Sequence, residues 1–212
     1  MNTPKTKVQL FSIVLLYGSI WGILEATVGY ALHWLPALFA GSLLFPLALL
    51  ILRHGYLQTN SRTSVFLMGV VAASIKGVNL FMPNLTIWKA INPMVAILIE
   101  AALASVVVHA FAKDRLLKTA LLVGAVAIGW KVAFVLYQVI NGALIGAFAP
   151  YLQSVRGLVE FVLVQGTLSW IFALTLLHVG SKAKRWNPVG VFRPVFAASS
   201  FLLAVLATIL IR

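Results

Sequence analysis

The chain has no cysteine and only four acidic residues in 212. Without cysteine there can be no disulfide, thiolate metal site or cysteine nucleophile. Charge of either sign is scarce: 9% of residues are Asp, Glu, Lys or Arg, against about 25% in ordinary soluble domains. A HExxH zinc motif, a Walker phosphate loop, a serine-nucleophile elbow and a pair of intramembrane aspartates are all missing. No metal, cofactor or catalytic set is therefore expected. The energy source is a partner, an ion gradient or none.

What is present is hydrocarbon, with 62% of residues hydrophobic. Runs of about 20 apolar residues are long enough to cross a bilayer. They predict an all-α, polytopic transmembrane helical bundle of six to seven spans, one domain over residues 1–212. The spans fall at about 8–33, 37–53, 63–81, 93–112, 119–148, 155–180 and 195–211. Each join holds a breaker or a charge cluster. Residues 8–33 read as a retained helix, because the run is too long for a signal-peptide core and carries Glu25.

The net charge of +12 has a membrane explanation. With the N-terminus cytoplasmic, the inner segments hold Lys5, Lys7, Arg53, Arg62, Lys113, Arg115, Lys118, Lys182, Lys184, Arg185 and Arg193. These are eleven of the sixteen basic residues, which sets the orientation. Outside the spans there is no run of cations interleaved with aromatics, so no nucleic-acid partner is expected. The predicted location is the cell membrane, multi-pass, in a bacterial inner membrane.

The acidic residues are distributed the opposite way. Only Asp114 is in a join; Glu25, Glu100 and Glu160 lie inside spans. Charges in hydrocarbon are costly unless paired or facing a polar cavity, and they commonly mark function. In this orientation the three glutamates fall in the outer half, with Lys76, Asn79 and Asn92. Lys131 lies nearer mid-depth, with Gln138 and Asn141 above it and Arg156 at the outer boundary. Trp88 and Lys89 occupy the turn between the third and fourth spans. The predicted ligand-binding set is Glu25, Lys76, Asn79, Trp88, Lys89, Asn92, Glu100, Lys131, Gln138, Asn141, Arg156 and Glu160. It would line a pocket opening away from the cytosol.

Local patterns refine this. Asn92-Pro93 reads as the cap and first residue of the fourth helix. Lys131, Gln138 and Asn141 form one stripe, and Arg156 and Glu160 an i,i+4 pair. Gly18, Gly22 and Ala26 recur every four residues, the spacing that lets another helix approach closely. They read as a groove for a partner helix, or as packing within the bundle. Trp170 and Trp186 read as packing and interface anchors. Asn84-Leu85-Thr86 fits a glycosylation pattern by chance. His33, His54, His109 and His178 sit at span ends and read as interfacial.

In size, hydrophobicity, lack of an ATP site and outer-half polar cluster, the chain resembles the substrate-binding S components of energy-coupling factor vitamin transporters. The resemblance covers roughly residues 8–180. That family docks on a membrane scaffold through a small-residue stripe in its first helix, for which Gly18, Gly22 and Ala26 are an imperfect counterpart. The resemblance implies capture of a small-molecule substrate from outside and delivery through scaffold and ATPase subunits. Lys76 and Lys131 would hold anionic groups, and Trp88 would stack on a ring. A seventh span departs from the family's usual six. Two other classes fit the residues: a membrane enzyme acting on a lipid or lipid-linked substrate, with Glu100 and Glu160 as acid and base, and a ligand-free assembly subunit.

Overall fold

The computed structural model describes residues 5–32, 34, 37–83, 85–112, 116–182 and 194–211. His33, Asn84, Asp114 and Trp186 lie outside the described residues. Helices account for nearly all of the described chain, and no strand occurs among those residues. The elements are α1 (Lys7–Leu32), α2 (Ala37–Thr59), α3 (Arg62–Gly77), α4 (Trp88–Val107), α5 (Leu116–Ile145), α6 (Val155–Val159), α7 (Gln165–Lys182) and α8 (Pro194–Leu210). A π turn, Glu160–Val164, joins α6 to α7, and short 3-10 turns follow α3 and α4.

Five stretches are long and apolar enough to cross a membrane among the described residues: Lys7–Leu32, Arg62–Phe81, Trp88–Ala110, Leu117–Ile145 and Val155–Gly180. The 23-residue α2 and the 17-residue α8 complete the bundle. At 1.5 Å per residue α8 is only about 25 Å long, just short of a typical hydrocarbon core.

Neighbouring helices form a closed ring. α1 packs on α3, α3 on α4, α4 on α5, α5 on α7, α7 on α2 and α2 on α1. The last helix, α8, lies outside this ring against α1 and α3. The sequence departs from a six-helix plan at this one element, and the departure is peripheral. The ring closes over Trp21, Phe45, Met68, Ile97, Ala101 and Trp130, one or two from each contributing helix. Lys5 donates through Nζ to the Gln58 carbonyl, so the start of α1 and the end of α2 share one end of the bundle.

Small residues set the closest approaches. A Cβ on Gly18 would meet Val71 Cβ at 2.6 Å and the Met68 carbonyl oxygen at 2.7 Å. A Cβ on Gly22 would meet Ile75 at 2.6 Å. Gly18 and Gly22 are therefore covered by the chain's own α3, and Ala26 is buried, as the alternative of packing within the bundle has it. This corrects the expectation of an open groove for a partner helix. Spacing alone identified a contact face without saying which helix covers it.

The helix boundaries need three corrections. α2 continues six residues past the predicted end at 53, through Thr59. α4 starts at Trp88, so Asn92 is not its cap. Turn bonds from Lys89 N to Thr86 O (2.9 Å) and from Ile91 N to Ile87 O (3.0 Å) begin the helix one turn early. Pro93 is tolerated there although it leaves the Lys89 carbonyl without its helical donor. α5 ends at Ile145, three residues before the predicted 148. Gly146 takes a left-handed φ of 71° beyond it, a conformation favoured by glycine, which turns the chain out of the helix.

Candidate functional site

Four ionisable side chains from four helices form a row across the ring. Lys76 of α3 acts electrostatically on Glu25 of α1; Glu25 acts on Glu100 of α4; Glu100 acts on Lys131 of α5. Glu25 and Glu100 are 9% and 6% exposed, Lys131 is wholly buried, and Lys76 is half-buried. Two lysines and two glutamates balance in formal charge, which favours their placement inside an apolar bundle.

Each member has a polar or aromatic support. Trp21 Nε1 donates to Glu25 Oε1 at 3.2 Å from one turn earlier on α1. Lys131 Nζ donates to Gln165 Oε1 at 3.3 Å. The same ammonium lies 4.5 Å from the Trp130 ring centroid and 4.4 Å from that of Phe161, within cation–π range. Phe161 and Gln165 are four residues apart across the π turn and both face Lys131. Tyr151, on the 3-10 turn before α6, stacks on Phe161 with centroids 4.2 Å apart and planes 10° from parallel.

The upper part of the site is built on α5. Gln138 and Asn141 are both buried, on the same face as Lys131. Tyr137 OH donates to Asn92 Oδ1 at 3.0 Å, linking α5 to α4. Freed from capping, Asn92 makes an interhelical contact instead. Tyr137→Phe is expected to lose about 1 kcal/mol of stability. Asn92→Ala added to that background should then cost little more, as a double-mutant cycle in detergent would report.

Of the predicted site residues, Glu25, Lys76, Glu100, Lys131, Gln138 and Asn141 point inward, and Asn92 is half-buried on α4. Asn79 lies half-buried in the 3-10 turn after α3, its carbonyl accepting from Met82 N–H at 3.3 Å. Trp88 is half-buried at the start of α4, and Lys89 beside it is exposed. Arg156 and Glu160 are exposed. With Val155, Val159 and Val164 they line a shallow groove of about 640 Å³ on the outside of the bundle. The helical register explains this correction. Phe161 and Gln165 take the inward face, and Glu160, one residue before Phe161, is rotated away from it by about 100°.

The row is also more enclosed than an open outer pocket would be, since Lys131 has no exposed surface. The sequence reading passed over Gln165, Trp130, Phe161 and Tyr151 as site residues. The i,i+4 spacing of Phe161 and Gln165 was an available signal. Tyr151 lay in a join, where no periodicity could place it. Burial, and secondarily Tyr137, push the Tyr151 phenol above its ordinary range, so it stays protonated at neutral pH. His54 and His109 bond through Nδ1 to the carbonyls of Leu50 and Val106 on their own helices, as interfacial histidines do. Trp170 Nε1 donates to the Ala120 carbonyl at 2.8 Å, pinning α7 to α5. Among the described residues no group of three or more His, Cys, Asp or Glu is placed to hold a metal ion.

The fold and the site together define a class: a helical bundle with membrane-length apolar helices and ionisable side chains from four of them set within it. No family model, curated protein or solved structure matches this chain.

Proposed function

We propose that this protein is a membrane-embedded binding subunit for uptake of a small polar, vitamin-like metabolite, in the manner of an S component. The observation that carries the reading is the convergence of Glu25, Lys76, Glu100 and Lys131 from four helices on the centre of one ring. Buried ionic groups cost stability, and within a membrane they are commonly kept for a ligand or an ion. A ligand carrying both a donor and an anionic group would exchange with the internal pairs, its anion taking a lysine and its donor a glutamate. Because the row is enclosed, binding requires the outer ends of the helices to part. Release to the cytosol then needs work from a separate ATPase-containing module, as the chain has no nucleotide site of its own. The Gly18 and Gly22 stripe is occupied by α3, so contact with such a module would use another surface.

Purified protein should carry a tightly bound metabolite, identifiable by mass spectrometry after denaturation. Cells making it with the partner module should take that metabolite up. Lys76→Met removes a half-buried charge with least risk to the fold and should reduce uptake at least about tenfold, the loss of one charged hydrogen bond. Unchanged uptake in this variant rejects Lys76 as a ligand group. The complete burial of Lys131 favours a second reading, a ligand-free assembly subunit with internal ionic struts. Absence of both copurifying metabolite and thermal stabilisation across a broad metabolite screen would select it.

A further inference from the structure

The neighbourhood of Lys131 holds more than its hydrogen bond to Gln165. Two buried polar atoms meet no hydrogen-bond partner among the described residues: Trp130 Nε1 and Tyr151 Oη. Trp130 is 7% exposed, and an indole N–H can only donate. Buried donors are rarely left unmet, and an exception needs an explanation such as an absent ligand or water. Both rings adjoin Phe161, Tyr151 stacked at 4.2 Å and Trp130 edge-on at 6.4 Å. Tyr151 covers one face of Phe161; Lys131 Nζ, 4.4 Å from the ring centroid, takes the other. Phe134 sits 6.3 Å from Trp130 and 6.4 Å from Phe161, completing an aromatic cluster. The neutral Gln165 Oε1 accepts from Lys131 at 3.3 Å, a long contact for an ammonium. From Lys131 outward, α5 continues its buried face through Phe134, Gln138 and Asn141, over about 15 Å.

We infer that this cluster opens to take a flat aromatic carboxylate. The carboxylate displaces the Gln165 oxygen from the Lys131 ammonium and accepts the unmet Trp130 N–H, and the ligand ring lies among Phe134, Phe161 and Tyr151. The inference rests on the small-metabolite reading above and adds a substrate class. A carboxylate suits an ammonium and a neighbouring indole N–H better than an amide does, because charge-assisted bonds are shorter and about twice as strong. Aromatic walls suit a ring that offers edges and faces to them. Entry requires Tyr151 to swing off Phe161, and Tyr151 sits on a three-residue turn outside the spanning helices.

The test uses the full chain in lipid nanodiscs with ¹⁵N-labelled tryptophan, titrated with benzoate and with benzamide, its neutral counterpart. Trp130→Phe assigns the Trp130 indole resonance. Benzoate should bind and move that resonance downfield, and benzamide should bind at least about tenfold more weakly. Trp130→Phe should weaken benzoate by a similar factor, and Tyr151→Phe, which keeps the stacked ring, should leave the melting temperature unchanged. Equal affinity for the two probes, no benzoate binding, or a Trp130 signal that benzoate leaves in place would overturn the assignment. Metabolite uptake that proceeds without any Trp130 response would remove only the aromatic-acid class and leave the binding-subunit reading standing. Loss of uptake for every metabolite would remove both.

Discussion

Lys131→Met should destabilise the protein by roughly 1.5–3 kcal/mol, the usual worth of a hydrogen bond made by a charged group, with loss of the cation that acts on Glu100 adding to it. Methionine nearly matches the length and volume of the lysine stem, so packing against Trp130 and Phe161 is largely kept. The loss is electrostatic. Glu100, 6% exposed, loses the cation that acts on it, while Glu25 continues to act on it. Gln165 Oε1 also loses its donor. The double variant Lys131→Met, Glu100→Met removes both ionisable groups, and replacing buried charges of opposite sign by hydrophobic residues of similar volume is often nearly free. It should recover most of the stability in a reversible denaturation measured in mixed micelles. If the double variant is as unstable as the single one, the two side chains are not working as a pair. If the single variant loses less than about 1 kcal/mol, the row is solvated in a way its burial denies.

That experiment probes the part of the site most legible in the sequence. Glu25, Lys76, Glu100 and Lys131 stand out because hydrocarbon makes any lone charge expensive, so four of them in apolar spans have to meet. Span lengths were legible for the same kind of reason, since bilayer thickness fixes them. The facing of individual helices was not. Glu160 satisfies the same depth criterion as Glu25 and Glu100, yet it and Arg156 are exposed, because their rotation about the helix axis depends on the register of Phe161 and Gln165 through the π turn. In α5 the apolar residues run all round the helix, so amphipathicity cannot show which side faces in. Only the polar stripe of Lys131, Gln138 and Asn141 does. The aromatic cluster was hidden for another reason. Tyr151, Phe161 and Trp130 are ordinary residues of a membrane protein one at a time, and only ring closure brings them together. The cover of the Gly18 and Gly22 stripe was equally a tertiary fact. A smooth face accepts whichever helix the topology presents, and here that is α3.

The same packing makes Gly69→Ala the sharper test of the ring itself. A Cβ on Gly69 would lie 2.1 Å from Ala101 Cβ, a distance no pair of methyl groups can adopt. Neither group has a rotamer to escape through, so α3 and α4 must move apart. Ala101 is adjacent to Glu100, and Trp21, which donates to Glu25, also touches this crossing at 3.4 Å. Separation therefore loosens both glutamates as well as the apolar contact. Overpacking of this kind costs about 1–3 kcal/mol, and the ionic row should push the value to the upper end. Gly55→Ala is the internal control. There the clash, at 2.4 Å, is with Met68 Sδ, near the end of a flexible side chain that can swing aside, so the loss should be far smaller. The exchange Gly69→Ala, Ala101→Gly moves one methyl group across the interface without changing total volume. It should restore most of the stability lost by Gly69→Ala in the same denaturation assay. If Gly69→Ala is tolerated as readily as Gly55→Ala, α3 and α4 do not cross in contact at this point, and Glu100 loses the support that fixes its place in the row.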